Sequence, residues 1–238
     1  MNSTRSVIVT LGLIFAGLLN ALIPGPLAAQ EPDSKAWEQY VASLPKDVDP
    51  ESGSRLPRID RSALDDAGKK VFDAVASNPN TLAGLRGPVG IRLYSPGITR
   101  NSGRETAYLR YGSTISRKHA ELIILVTARA FDAQFEWTYH EPPGQKAGLE
   151  QAVIDAVKYH KPLTGLPEQD AAIIQMGREV FGKTPVKSDT FAKALQLFGR
   201  ETLVEIVALM GQSANTAVLL HAFDQHLPPG QEALLPIP

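Results

Sequence analysis

Two short stretches of the chain hold residues whose types and spacing suit proton transfer. One is Glu121-Leu122-Ile123-Ile124-Leu125, a carboxylate at the head of an apolar run. The other is Phe135-Glu136-Trp137-Thr138-Tyr139-His140-Glu141. Glu136 and His140 are four residues apart, so on a helix they share a face, and Trp137 flanks it. Glu121 stands beside Ala120 and Ile124, on a side that can turn inward. If the two helices pack antiparallel, Glu121 meets His140. A carboxylate that holds an imidazole fixes its tautomer and raises its basicity. Between apolar walls such a pair can move protons near neutral pH. The same i,i+4 spacing also occurs on solvated helix surfaces, and spacing alone leaves both readings open.

Composition limits the chemistry further. The 238 residues contain no cysteine and carry 24 Lys+Arg against 25 Asp+Glu, a formal charge of −1. Without thiols the chain can form no disulfide, thiolate metal site or cysteine nucleophile. Near-neutral charge without a basic block speaks against nucleic-acid binding. Glu121, Glu136 and His140 could supply two carboxylates and an imidazole to a metal, but no second histidine completes a ligand spacing, so no metal is expected. No phosphate-binding glycine loop or nucleophile elbow is present. The remaining histidines have plainer readings. His160 suits a helix end, His119 the surface, and His221 and His226, beside Asp224, packing or solvent. Glu201 and Glu205 read as a surface pair or caps.

The elements that must position these residues are helices. Apolar residues recur at helical spacing, and no useful strand alternation or internal repeat appears, so the fold class is all-α. A short helix is expected around Lys35–Leu44, and a longer one from Ser62, with Ser62 and Asp65 as its capping pair. Residues 78–98 read as loop, with a turn at Gly87-Pro88-Val89-Gly90. A helix over Arg104–Gly112 follows. The next is capped by Ser116 and runs to about Asp132. Another begins near Ala133, stopped or kinked at Pro142 and Pro143. Further helices are expected over Leu149–Tyr159, Glu168–Gly182, Ser188–Phe198 and from Arg200 to about Gln225.

The ends have their own signatures. Arg5, the apolar run Val7–Ile23, the Pro24-Gly25-Pro26 break and Ala28-Ala29 make residues 1–29 a secretory signal peptide, cut after Ala29 or Ala28. The protein is then exported, periplasmic or extracellular. The alternative is an uncleaved N-terminal membrane anchor. Residues 30–57 read as an extended arm, 58–230 as one domain and 231–238 as a Pro-rich tail.

The stretch from Glu121 to Gly148 resembles the carboxymuconolactone decarboxylase family of the alkylhydroperoxidase D-like superfamily. Glu121 is followed nineteen residues later by His140, with Phe135-Glu136-Trp137 just before it and Gly148 eight after. Leu93-Tyr94-Ser95-Pro96-Gly97 resembles an upstream family segment, and Glu201–Ile206, Ala222-Phe223 and Leu227-Pro228 resemble the family's last core helix and its end. The resemblance spans about residues 55–230.

That resemblance implies a helical domain assembling as trimers or hexamers, with a small pocket near subunit contacts and no cofactor. In the superfamily's peroxidase branch a Cys-x-x-Cys pair works with a Glu and a His. The relay residues match Glu121 and His140, while the cysteine positions fall on Ala133 and Glu136. Dithiol peroxide reduction is therefore closed to this chain. The decarboxylase branch implies a carboxylated unsaturated lactone as substrate. His140 would be the general acid/base, Glu121 its orienting partner and Glu136 a second proton carrier. Trp137 would wall the pocket, and Arg129 or Arg110 would grip the substrate carboxylate through a bidentate fork. A peroxide-related role by association and a non-catalytic oligomeric binding protein remain the alternatives.

Overall fold

The computed structural model describes residues 34–78 and 81–237. Residues 1–29, read as the signal peptide, lie outside them. Among the described residues the secondary structure is helical, and the only strand-like pairing is one bridge between Asp49 and Ser54. The helices are α1 (Ser34–Ser43), α2 (Asp66–Ala76), α3 (Gly87–Arg92), α4 (Pro96–Ala107), α5 (Arg117–Ala130), α6 (Gln134–Lys146), α7 (Gln151–Lys158), α8 (Glu168–Val180) and α9 (Ser188–Ala222).

α5 is the centre of the molecule. Ala120, Leu122, Ile123, Leu125 and Ala128 are fully buried on it, and α6, α7, α8 and α9 all pack around it. Its start follows from Ser116, whose Oγ accepts the backbone N–H of His119 at 3.2 Å and satisfies one unpaired amide of the first turn. Phe131–Ala133 then turns the chain back into α6, with the Ala133 N–H on the Ala128 carbonyl at 2.8 Å.

α9 supplies the opposite wall. Leu203, Ile206, Leu209, Met210 and Ala217 bury its inner stripe. Gly199, at φ 74°, breaks it into the two helices the sequence suggests, in a backbone region that favours glycine. By length and apolar composition α9 could cross a membrane, but half of its most apolar window is buried against the other helices.

Four expectations about the helices change in the structure. The helix expected over Arg104–Gly112 starts at Pro96 instead, and its last turn is π-helical. Ser62 does not cap a long helix. It lies in a short 3-10 turn, Arg61–Ala63, and Asp65 caps α2 by accepting from the Gly68 N–H at 2.7 Å. The Gly87–Gly90 turn is helix α3, because Pro88 fits the first helical turn, where no amide partner is needed. α6 runs through Pro142 and Pro143. Beyond them Gly144 packs against α5, where an added Cβ would lie 3.5 Å from Glu121 Cβ and 3.7 Å from Leu125 Cδ1, and the helix runs on to Lys146, with Gly148, at φ 96°, just past its end. The Gly148 N–H on Gln145 O and the Leu149 N–H on Gly144 O close it in a Schellman pattern. Tertiary packing outweighs the two missing amides.

The arm and the tail are docked rather than extended. After α1, Val48, Ser52 and Ser54 are buried, and the Arg55 N–H reaches Phe223 O while the His226 N–H reaches Gly53 O. At the other end Leu235 is buried, and Arg129 Nη1 donates to Pro236 O at 2.9 Å.

α8 meets the body at Gly177, where an added Cβ would lie 2.2 Å from Val126 Cγ1. Gly177→Ala is therefore expected to destabilise the fold by about 1–3 kcal/mol, since overpacking shifts two helices apart. Urea unfolding checks it: a lower midpoint with an unchanged slope is expected, and an unchanged midpoint would mean that α8 yields freely.

Candidate functional site

The α5–α6 turn decides the site's geometry. Glu121 lies ten residues before Phe131 and His140 nine after it, so the hairpin brings them level. Glu121 is fully buried, and its Oε2 lies 2.7 Å from His140 Nδ1. A carboxylate only accepts, so Nδ1 carries the hydrogen and Nε2 is the reactive nitrogen. Glu136, one turn before His140, brings Oε1 to 3.6 Å from that Nε2, too long for a hydrogen bond but close enough for transfer through small movement or one water.

Two arginines hold the second oxygen of Glu121. Arg110 Nη2 reaches Oε1 at 3.1 Å and Arg117 Nη2 at 2.6 Å. Arg110 sits on a single π-helical turn, Tyr108–Gly112, that ends α4, and such turns re-aim side chains. Arg117 lies one turn before Glu121 on α5, with its guanidinium 4.6 Å from the Tyr111 ring centroid. Burial alone would push the Glu121 carboxyl up. The His140 hydrogen bond, with the charges of His140, Arg110 and Arg117, outweighs it and holds the carboxyl below its ordinary range. Glu121 is therefore an anion at neutral pH.

His140 and Glu136 line a cavity of about 260 Å³, whose walls include Ile124, Phe135 and Tyr139. Arg86, Arg92 and Arg110 also line it. Arg92 comes from the end of α3 and is nearly buried. Its Nη2 donates to Thr216 Oγ1 of α9 at 2.8 Å, and its Nε has no partner. Burial pushes this guanidinium down from its ordinary range, and the Glu136 charge pulls it back. Arg86 Nη1 and Arg110 Nε are likewise buried without an acceptor. Three guanidinium groups with spare donors around one small cavity favour an anionic ligand.

Of the residues singled out by sequence, the structure brings together Glu121, Glu136, His140 and Arg110. Two are elsewhere. Trp137 is a core residue: fully buried, it donates Nε1 to the Glu141 carboxylate, which also receives Lys158 Nζ at 2.8 Å. Arg129 lies eight residues after Glu121, about 12 Å along α5, and reaches Asp132 and the C-terminal tail instead of the His140 cavity. Arg86, Arg92 and Arg117 escaped the sequence reading. Arg117 had a signal, its i,i+4 spacing to Glu121. Arg92 had none, since its partners are on α9.

Two further polar residues act in the frame. Glu205, read as surface, is buried and accepts from Tyr108 Oη at 2.6 Å and from Thr114 N and Oγ1, tying α9 to the π-turn that carries Arg110. His119, also read as surface, meets buried Asp170 with Lys118. Burial would raise the Asp170 carboxyl, but the His119 and Lys118 hydrogen bonds hold it down.

Both carboxyls, Glu121 and Asp170, have folded values below their ordinary ones. Their stabilisation is thus complete above the unfolded value near pH 4 and lost as pH falls through the folded values. The thermal midpoint is expected to hold from neutrality to about pH 5 and to drop below about pH 4. In Glu121→Gln the drop should be shallower, and an identical drop would remove Glu121 from the account.

No family model matches the sequence, and neither the curated proteins nor the solved structures searched give a match.

Proposed function

We propose that this protein is an exported, thiol-free enzyme of the carboxymuconolactone decarboxylase type. It performs acid/base chemistry without a cofactor, by decarboxylation or isomerisation, on a small carboxylated lactone or related oxidised acid. The observation that carries the reading is the buried Glu121–His140 pair at a cavity whose other polar groups are arginines. Such a site offers one proton-transfer nitrogen and several anion grips, which is what loss of carbon dioxide from an unsaturated acid requires.

In the decarboxylation, Arg92 and Arg110 hold carboxylate oxygens of the substrate. The bond from the ring carbon to the departing carboxylate breaks, and its electron pair moves into the unsaturated lactone as a dienolate. Carbon dioxide leaves. The dienolate oxygen is stabilised by a guanidinium, and protonated His140 delivers the Nε2 hydrogen to carbon. Glu136, beside Nε2, re-protonates His140 from solvent. Glu121, held anionic by Arg110 and Arg117, keeps Nδ1–H in place and steadies the imidazolium.

Assembly as a homotrimer or hexamer belongs to the same proposal. Val204, Val207 and Val218 are exposed along the outer stripe of α9, an apolar face suited to another copy.

The test is a side-by-side screen of the protein lacking residues 1–29 against carboxylated lactones and hydroperoxides. Carbon dioxide release from a lactone is expected, with no peroxide consumption. Peroxide consumption without lactone turnover would overturn the reading. Binding without turnover of either would turn the site into a receptor.

A further inference from the structure

Arg129, expected at the His140 cavity, needs another account. It lines a separate cavity between α5 and α8, of about 350 Å³, together with Arg178 and His160. The apolar walls include Val126, Ile174 and Phe181. Arg129 has only 8% of its side chain exposed. It gives one Nη to Asp132 and the other to Pro236 O, and its Nε is buried with no acceptor. Arg178 spends Nη2 on the carbonyls of Ala156 and Lys161, both at 2.9 Å, and its Nε is also buried without an acceptor. Native folds rarely leave such donors empty, least of all on two cations that share one cavity.

The charges define the missing ligand. Two guanidinium groups line the cavity and one carboxylate, Asp132, pairs with Arg129, leaving one positive charge uncompensated. His160 adds none: burial and the two arginines push its imidazole down from its ordinary value. We propose that this cavity is a second small-molecule site, taking a monocarboxylate with an apolar body. The carboxylate pairs with the guanidinium groups of Arg129 and Arg178, a small shift of each turning its unpaired Nε–H toward it, and the body lies on Val126, Ile174 and Phe181. A bare inorganic anion would leave those walls uncovered. The site is independent of the decarboxylase reading, because none of its residues lines the His140 cavity.

Isothermal titration of the full chain with octanoate, benzoate and inorganic phosphate tests the proposal. Octanoate or benzoate should bind and phosphate should not, and the preferred one tells an aliphatic from an aromatic body. Arg178→Gln should weaken binding at least tenfold. So should Ala130→Trp, which places bulk at the exposed rim of the cavity with both arginines retained and decides the matter if Arg178→Gln fails to fold. Arg92→Gln, in the other cavity, should leave it unchanged. No binding by the wild-type chain, binding indifferent to Ala130→Trp, or loss with Arg92→Gln would each overturn the proposal.

Discussion

Replacing His140 by alanine is expected to lower lactone turnover by about 10²–10⁴-fold, the usual contribution of a positioned general acid. The basis is geometric. His140 is the one imidazole lining the cavity, its Nδ1 is engaged by Glu121, and its Nε2 is left for the substrate. Glu136, 3.6 Å from Nε2, is placed to pass protons to that nitrogen. The substitution should leave assembly intact, because the core of α6 is held by Trp137 and Phe135 rather than by the imidazole. Turnover together with gel filtration checks both halves. Full turnover in a correctly assembled variant would remove His140 from the chemistry.

The second large effect concerns stability. Glu121→Ala leaves Arg110, Arg117 and His140 facing a site with no anion, inside the most buried helix of the protein. Breaking a buried ion pair from one side costs about 3–5 kcal/mol. For a chain of this size that lowers the thermal midpoint by roughly 6–20 °C. Glu121→Gln keeps the shape and one acceptor, so it should cost less. It should still lower kcat with little change in KM, since Glu121 acts through His140 and does not touch the substrate. A purely structural Glu121 would give Glu121→Gln a lower midpoint and an unchanged kcat.

Much of this arrangement was legible in the residues themselves. Glu121 and His140 lie ten residues before and nine after Phe131, where the chain turns, and both lie in strongly helical segments, so their meeting follows once the helices pack antiparallel. Ser116 announced the start of α5 by its cap, and Gly199 divides α9 where the two expected helices meet. The failures have physical causes. Pro142 and Pro143 carry a local penalty that the sequence shows, while the close approach of Gly144 to Glu121 and Leu125 of α5 that overrides it is tertiary. Trp137 was placed at the pocket because it neighbours His140 in sequence, but its indole turns to Glu141 and Lys158 of the adjoining face. Arg129 shares a helix with Glu121, and eight residues carry it to the far end. Arg92 depends on Thr216, 124 residues away, a pairing that no local pattern encodes.

The most direct measurement follows a carboxylated lactone in deuterium oxide, with carbon dioxide release and deuterium content of the product read together. The expected result is one carbon dioxide released per lactone consumed and one deuterium added at a single carbon and ring face, all lost in His140→Gln. Equal carbon dioxide release by His140→Gln, or none from any carboxylated lactone with the wild-type protein, would contradict it.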